Sequence, residues 1–274
     1  MTVINTNMNA LRAQNASRVA NKALGTAIER LSSGKRINTA KDDAAGMAIS
    51  TRMDTKVRSM TQAIRNANDG ISVTQIADDA LGEMANILVK IRELAIQAGS
   101  TTLTEVEREA IDVVSSEYVN QYNDIADRTK FNGQQLLRGG LDWPEPMVIQ
   151  TGVEQGERLE ILIPDLHGES YDLNFLRYYD VGDASEALGY VDYAIDVLAD
   201  QRARIASVQN RLEASVNHLT SSFTNLTEAM SRIQDTDFAV ESTKLATAQV
   251  LAQASTAMLA QANQNQQDVL NLLR

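Results

Sequence analysis

At 274 residues the chain is long enough for about two domains of roughly 150 residues and a sizeable core, and its 43% apolar against 4% aromatic content favours helices built on Ala, Leu, Ile, Val and Met. The absence of cysteine excludes disulfides, thiolate zinc sites and a cysteine nucleophile, and the two histidines, His167 and His218, stand in no ligand spacing. A net charge of -11 argues against nucleic acid and anionic membrane as partners, since both need clustered Lys and Arg.

Met1 to Leu11 has no charge and no long apolar run, because Asn5, Asn7 and Asn9 interrupt it, so no cleavable leader is expected. A first helix is predicted from the spacing of Ala13, Ala16, Ala20, Leu24, Ala27 and Leu31. Small residues on a seam let backbones approach closely but bury little area, so this helix needs a partner, either the other end of its own chain or another molecule. Ser32-Ser33-Gly34 reads as its stop, with Lys35 and Arg36 near the negative end of the dipole. Asp42-Asp43 reads as the cap and first turn of a second helix. Ile49, Met53, Val57, Met60, Ile64, Ala67 and Ile71 form its stripe, which Leu81, Met84, Leu88, Ile91 and Ala95 resume; a third, shorter helix spans Val106 to about Ile125.

The irregular part is central. Pro144, Pro146 and Pro164 are the three prolines, and six of the 14 glycines fall between Gly139 and Gly182. Met147 to Thr151 and Arg158 to Ile163 lean toward strands, and the loop Gly152 to Gly156 makes them a predicted hairpin. Residues 141–200 hold 14 Asp and Glu against Arg158 and Arg177, a balance of -12, while the other 214 residues sum to +1. Such a block reads as a solvated exterior, and the neutral remainder can pack against copies of itself.

From Tyr190 to Arg274 there are 85 residues without Gly or Pro. Ile205, Val208, Leu212, Val216, Leu219, Phe223, Leu226, Met230 and Ile233 advance by three or four, one stripe on one long helix. Smaller residues continue the pattern at Ala248, Leu251, Ser255, Met258, Ala262, Asn265, Val269 and Leu272. The uncharged stretch Leu245 to Gln267 contains six Gln and two Asn, which hydrocarbon would not tolerate, so no membrane span is expected. The fold class is thus mainly α: a long antiparallel helical bundle or coiled-coil rod built from the N- and C-terminal segments, with a small β-hairpin region in the middle. Its core is expected at Met53, Met60, Ile64, Leu88, Leu212, Leu219, Phe223, Leu226 and Met230.

No phosphate loop, dinucleotide fingerprint, zinc-protease or nucleophile-elbow motif occurs. Adjacent carboxylates such as Asp42-Asp43 and Asp78-Asp79 point about 100° apart on a helix and cannot share a proton as a facing pair would. His218 reads as a flank residue and His167 as a loop residue. No catalytic, cofactor-binding or metal-ligating residue is assigned, and the expected function is structural rather than enzymatic.

Several long motifs carry a resemblance. VINTNMNAL (Val3 to Leu11), ERLSSGKRINTAKDDAAGMAIS (Glu29 to Ser50) and AIRNANDGISVTQIADDAL (Ala63 to Leu81) resemble bacterial flagellin. So do QNRLEASVNHLTSSFTNLTEAMSRIQDTDFAVES (Gln209 to Ser242) and QVLAQASTAMLAQANQNQQDVLNLLR (Gln249 to Arg274), in order and position. The likeness covers roughly residues 1–138 and 190–274.

The resemblance implies a subunit that self-assembles into the extracellular helical filament of the flagellum, turned by a rotary motor for swimming. It places terminal helices of an inner tube, disordered before assembly, at 1–33 and 236–274, linkers at 34–43 and 234–237, and a helical rod at 44–138 and 190–233. The acidic stretch 139–189 would face outward on the filament, with little or no separate outer domain. The assembly seam carried over is Ala13, Ala16, Ala20, Leu24, Ala27, Leu31, Leu251, Met258, Ala262, Val269 and Leu272. Implied partners are further copies of the chain, the flagellar cap and hook-junction proteins, an export chaperone and the flagellar type III export apparatus. An animal innate-immune receptor would read Val89 to Ile96, where Arg92, Glu93 and Leu94 keep the family's Arg-Glu-Leu. Lys90 stands where that patch usually has Arg, and Lys cannot reproduce a planar guanidinium contact, so rod packing is the expected role of this stretch. The alternatives are the hook-to-filament junction protein, which shares flagellin-like ends, and a coiled-coil adaptor that does not polymerise.

Overall fold

The computed structural model describes residues 6–138 and 147–272, with backbone alone for 269–272. Five helices dominate it: α1 (Met8–Ser33), α2 (Ala44–Ala98), α3 (Glu105–Arg128), α4 (Val181–Gln234) and α5 (Phe238–Leu272). Two small antiparallel ladders stand between α3 and α4, β1 (Lys130–Phe131) with β2 (Gln134–Gln135) and β3 (Met147–Gln150) with β4 (Arg158–Ile161). This is the mainly helical architecture with a central hairpin expected from the spacing. No helix among the described residues is long and apolar enough to cross a membrane.

Helix boundaries follow local chemistry. Gly34, at φ 70, ends α1 in the left-handed region that a Cβ disfavours. The Asp43 carboxylate accepts the Gly46 N–H and caps α2, while Asp42 accepts the Asn38 and Thr39 N–H groups and the Thr39 hydroxyl, fixing the preceding turn. Thr104 and Glu107 form a reciprocal capping box at α3. The third helix therefore begins slightly before Val106 and runs on to Arg128.

Helix α4 starts at Val181 and passes through Gly182 and Gly189, so the change from loop to helix comes earlier than the glycine-free stretch beginning at Tyr190 suggested. Asp180 accepts the Asp183 N–H at this end, and Ala184, Ala187, Val191 and Ala194 are already buried. A buried apolar face outweighs the propensity penalty of two glycines, about 1 kcal/mol each.

The chain divides into two compact units, Met1–Val57 with Thr224–Arg274, and Arg58–Phe223. In the first, α1 and α5 pair antiparallel: Asn7 Nδ2 donates to the Ala262 carbonyl near one end, and Arg30 meets Glu241 near the other. The buried positions are Ala13, Ala20 and Ala27 on α1 and Glu241, Ala248, Ser255 and Ala262 on α5. Each series steps by seven, the repeat of a coiled coil, with small residues at the contact. The segments read as linkers bond to each other: Lys35 bridges Asp235, the Arg36 N–H donates to the Gln234 carbonyl, and Ile37 is buried.

The second unit has a continuous core. Leu81, Met84, Leu88 and Ile91 of α2 cluster with Ile111, Val119 and Tyr122 of α3 and with Val191, Leu198, Ile205 and Leu212 of α4. Ile149, Leu159 and Ile161 of the hairpin join them, as do Leu166, Leu173 and Tyr178 from the segment that follows it. Each large apolar side chain buried contributes about 1.5–3 kcal/mol. Within the described part of 139–189, Ile149, Leu159, Ile161, Leu166 and Leu173 are buried, whereas Val148, Leu162 and Phe175 are exposed together with Glu154, Glu157, Glu160, Glu169, Asp172 and Glu186.

Candidate assembly interface

A paired helix whose apolar residues exceed its seam has a face left over. On α1, Leu11, Val19 and Ile28 lie off the alanine seam and are 50%, 62% and 52% exposed. On α5, Phe238, Val250, Leu251 and Met258 are likewise exposed. At 100° per residue these side chains lie on several sides of the helix pair, and large apolar groups left outside a closed seam are candidates for contact with other chains. Between the two helices a groove of about 540 Å³ is lined by Val19, Lys22, Ala23, Lys244, Ala248 and Leu251 among others.

At one end of the seam sits a buried carboxylate. Glu241 is 4% exposed; the Lys244 ammonium lies 2.9 Å from one of its oxygens and Arg30 Nη1 3.6 Å from the other. Arg30 Nε is itself buried without a hydrogen-bond partner. Burying a charge is unfavourable unless it is paired, so the Arg30–Glu241 pair across the seam restricts how α1 and α5 align. The sequence reading missed Glu241; its signal was a place seven residues before Ala248 in the series that continues to Ser255 and Ala262.

The predicted seam residues divide by burial. Ala13, Ala20, Ala27 and Ala262 are buried between the helices, Leu24 and Leu31 are half-buried, and Ala16, Leu251 and Met258 are exposed. Val269 and Leu272 have side chains outside the described residues. Of the predicted core positions, Met60, Leu88, Leu212 and Leu219 are buried, and Met53, Ile64, Phe223, Leu226 and Met230 are half-buried.

In the stretch Val89 to Ile96, the Arg92 guanidinium is bound to the Asp192 carboxylate, which raises its pKa. Leu94 is half-buried against the core, Glu93 is exposed, and Lys90 Nζ lies 5.5 Å from the Tyr118 ring centroid in a cation–π contact. Three of the four residues are thus engaged in packing, charge pairing or a ring contact of the unit itself. On α3, Val106, Val113 and Val114 form further exposed apolar surface.

Comparison with known proteins assigns the chain. The bacterial flagellin N-terminal helical region matches residues 4–141, and the bacterial flagellin C-terminal helical region matches 188–273. This chain belongs to the bacterial flagellin family. A flagellin of Halalkalibacterium halodurans is 38% identical over 274 residues, covering 99% of this chain and 100% of that one. A flagellin of Bacillus subtilis is 38% identical over 302 residues, with 99% of each chain covered. A flagellar filament core protein of Brachyspira hyodysenteriae is 36% identical over 284 residues, covering 99% and 100%. Among solved structures, the crystal structure of Bacillus cereus flagellin superposes with a TM-score of 0.52 at 29% identity, covering 61% of this chain and 94% of that one. A putative flagellar hook-associated protein of Vibrio parahaemolyticus reaches a TM-score of 0.57 at 10% identity, covering 71% and 100%, a likeness of fold alone. In this flagellin the two family regions leave 142–187 between them, where the hairpin and much of the acidic excess lie.

Proposed function

We propose that this flagellin is the structural subunit that self-assembles into the helical flagellar filament used for swimming. One observation carries the assembly mechanism: the α1/α5 pair closes its alanine seam within one chain and still exposes Leu11, Val19, Ile28, Val250, Leu251 and Met258. Neighbouring copies of the chain supply the cover for these side chains. The terminal helices, 1–33 and 236–274, form the inner layer of the polymer, 34–43 and 234–237 join them to the helical rod at 44–138 and 190–233, and the acidic stretch 139–189 faces outward. Like charges are farthest apart at the outer radius of such a polymer, which supports that orientation.

The protein works by burial of helix faces and not by catalysis. Its working place is outside the cell, reached through the flagellar export apparatus with a chaperone holding the apolar ends, and its neighbours at the filament termini are the cap and hook-junction proteins. Lys90 above Tyr118 and Arg92 on Asp192 support rod packing as the role of Val89 to Ile96 in preference to recognition by an innate-immune receptor.

Electron microscopy of purified monomer salted out with short filament seeds tests the reading. Wild-type protein will grow long filaments. Met258→Asp and Leu251→Asp will not, because a charge without a partner becomes buried only on assembly, and their thermal melts will stay close to wild type. Normal filaments from both variants would remove this face from the interface.

A further inference from the structure

Two adjoining clefts open on the second unit where residues 165–177 fold over α3 and meet the start of α4. One, of about 250 Å³, is lined by Ser116 and Asn120 of α3 and by His167, Glu169 and Asn174. The other, of about 400 Å³, is lined by Phe175, Asp183, Glu186 and Tyr190. Leu176 and Arg177 border both, so the clefts meet at Arg177, whose Nη1 donates to the Leu176 carbonyl at 2.6 Å.

The first cleft is built from fixed polar groups. Asn123 accepts the Gly168 N–H at 2.8 Å and donates to Asn174 Oδ1 at 3.0 Å, which orients the Asn174 amide and leaves its Nδ2 without an acceptor among the described residues. His167 is 8% exposed, and its Nδ1 accepts the Glu169 N–H at 3.4 Å. With Nδ1 accepting, Nε2 is the ring's donor, and among the described residues nothing accepts from it. That nitrogen is not enclosed by protein, so in the free molecule it meets solvent in the cleft, and a ligand acceptor can take the place of water there.

The chemistry selects the occupant. Amides and hydroxyls each donate and accept, as a ligand hydroxyl does. An anion is opposed because Glu169, Asp183 and Glu186 outnumber the single cation, Arg177, around the clefts. A metal ion finds no suitable group of His, Asp and Glu among the described residues. The second cleft adds ring surface, with Phe175 72% and Tyr190 37% exposed, and the Tyr190 hydroxyl donates to Glu186 at 3.2 Å. Hydroxyls on a rim around apolar C–H faces are the features of a pyranose, and rings beside amides and carboxylates complement them.

We propose that these paired clefts bind a neutral sugar, with one pyranose held by Asn120, Asn174 and His167 Nε2, and a second unit reaching past Arg177 onto Phe175 and Tyr190. This role is separate from polymerisation and is testable on the monomer. Full-length ¹⁵N-labelled protein is titrated with glucose, galactose, N-acetylglucosamine, maltose and cellobiose, with glycerol, glucuronate and inorganic phosphate as controls. At least one neutral sugar will give saturable shifts in the Asn120 and Asn174 side-chain amides and the His167 ring N–H, and a disaccharide will bind more tightly than its monosaccharide. Asn120→Ala and Phe175→Ala, both at exposed positions, will weaken that binding about fivefold or more with unchanged helical melting. The proposal is overturned if no sugar of the panel gives saturable shifts, if phosphate or glucuronate binds in their place, or if both variants bind like wild type.

Discussion

Gly34 shows how one backbone angle ends a helix. It holds φ 70, and a Cβ built there meets nothing within 4 Å, so any loss on substitution is backbone strain and not collision. Gly34→Val will destabilise the first unit by about 1–2 kcal/mol, read as a lower urea midpoint of the helical signal. The buried tyrosines give a pH dependence. Burial, with lesser help from Tyr171 and Asp165, raises the Tyr122 phenol well above its ordinary value of 10.0, and burial followed by Asp165 and Tyr193 pushes Tyr171 up to about 12. A folded pKa above the unfolded one means that stability is complete below pH 10 and declines as pH rises toward 12, because the unfolded chain releases its phenolic protons first. Circular-dichroism melts will show wild type losing more stability than Tyr122→Phe above pH 10. Parallel losses in the two proteins would mean that this phenol is not the source.

At the scale of elements, the alanine seam settles that α1 and α5 pair, and Glu241 settles how they align. An unbroken small-residue repeat of seven fits a partner in several registers, whereas a buried carboxylate on α5 fits best where Arg30 of α1 meets it. Glu241→Ala will admit a second register one heptad away; since the chain has no cysteine, paired cysteines introduced across the seam will report it by cross-linking. In the second unit, Leu212 is fully buried, and Leu212→Ala will cost about 2–5 kcal/mol in chemical unfolding. Gly70, inside α2, has another role: a Cβ there would run into Ile149 of the hairpin and press on Leu212. The glycine lets β3 lie close on the helix, a reason invisible to propensity.

For the whole molecule, charge distribution matters more than its total. Of the net -11, the stretch 141–200 supplies -12, and that stretch also holds the aromatic and amide clefts. Subunits brought side by side repel through it, and salt screens that repulsion over about 10 Å at 0.1 M. Seeded filament growth will therefore slow as ionic strength is lowered, and exchanging exposed Glu154, Glu157 and Glu160 for Gln will reduce the salt dependence; an unchanged salt profile in that variant would place the repulsion elsewhere.

Much of this protein was legible from residue order because the relevant signals are local. A stripe repeating every three or four residues, Ser-Ser-Gly at a helix end, Asp-Asp at a helix start and alternating residues around Gly152 to Gly156 each act within a few residues of themselves. The long motifs sufficed for the flagellin likeness. What only the tertiary structure decided depends on groups far apart in the chain. Residues 163–178 have no period, yet Ile163, Leu166, Leu173, Leu176 and Tyr178 are buried because α3 and α4 give them a surface. Asn123 meets Gly168 and Asn174, and Arg30 meets Glu241, only once the chain has folded back. Local spacing shows that a helix has an apolar face, but not how much of that face its own chain will cover. Packing decided that Ala13, Ala20 and Ala27 of α1 are buried within the chain while Val19, Leu251 and Met258 stay exposed.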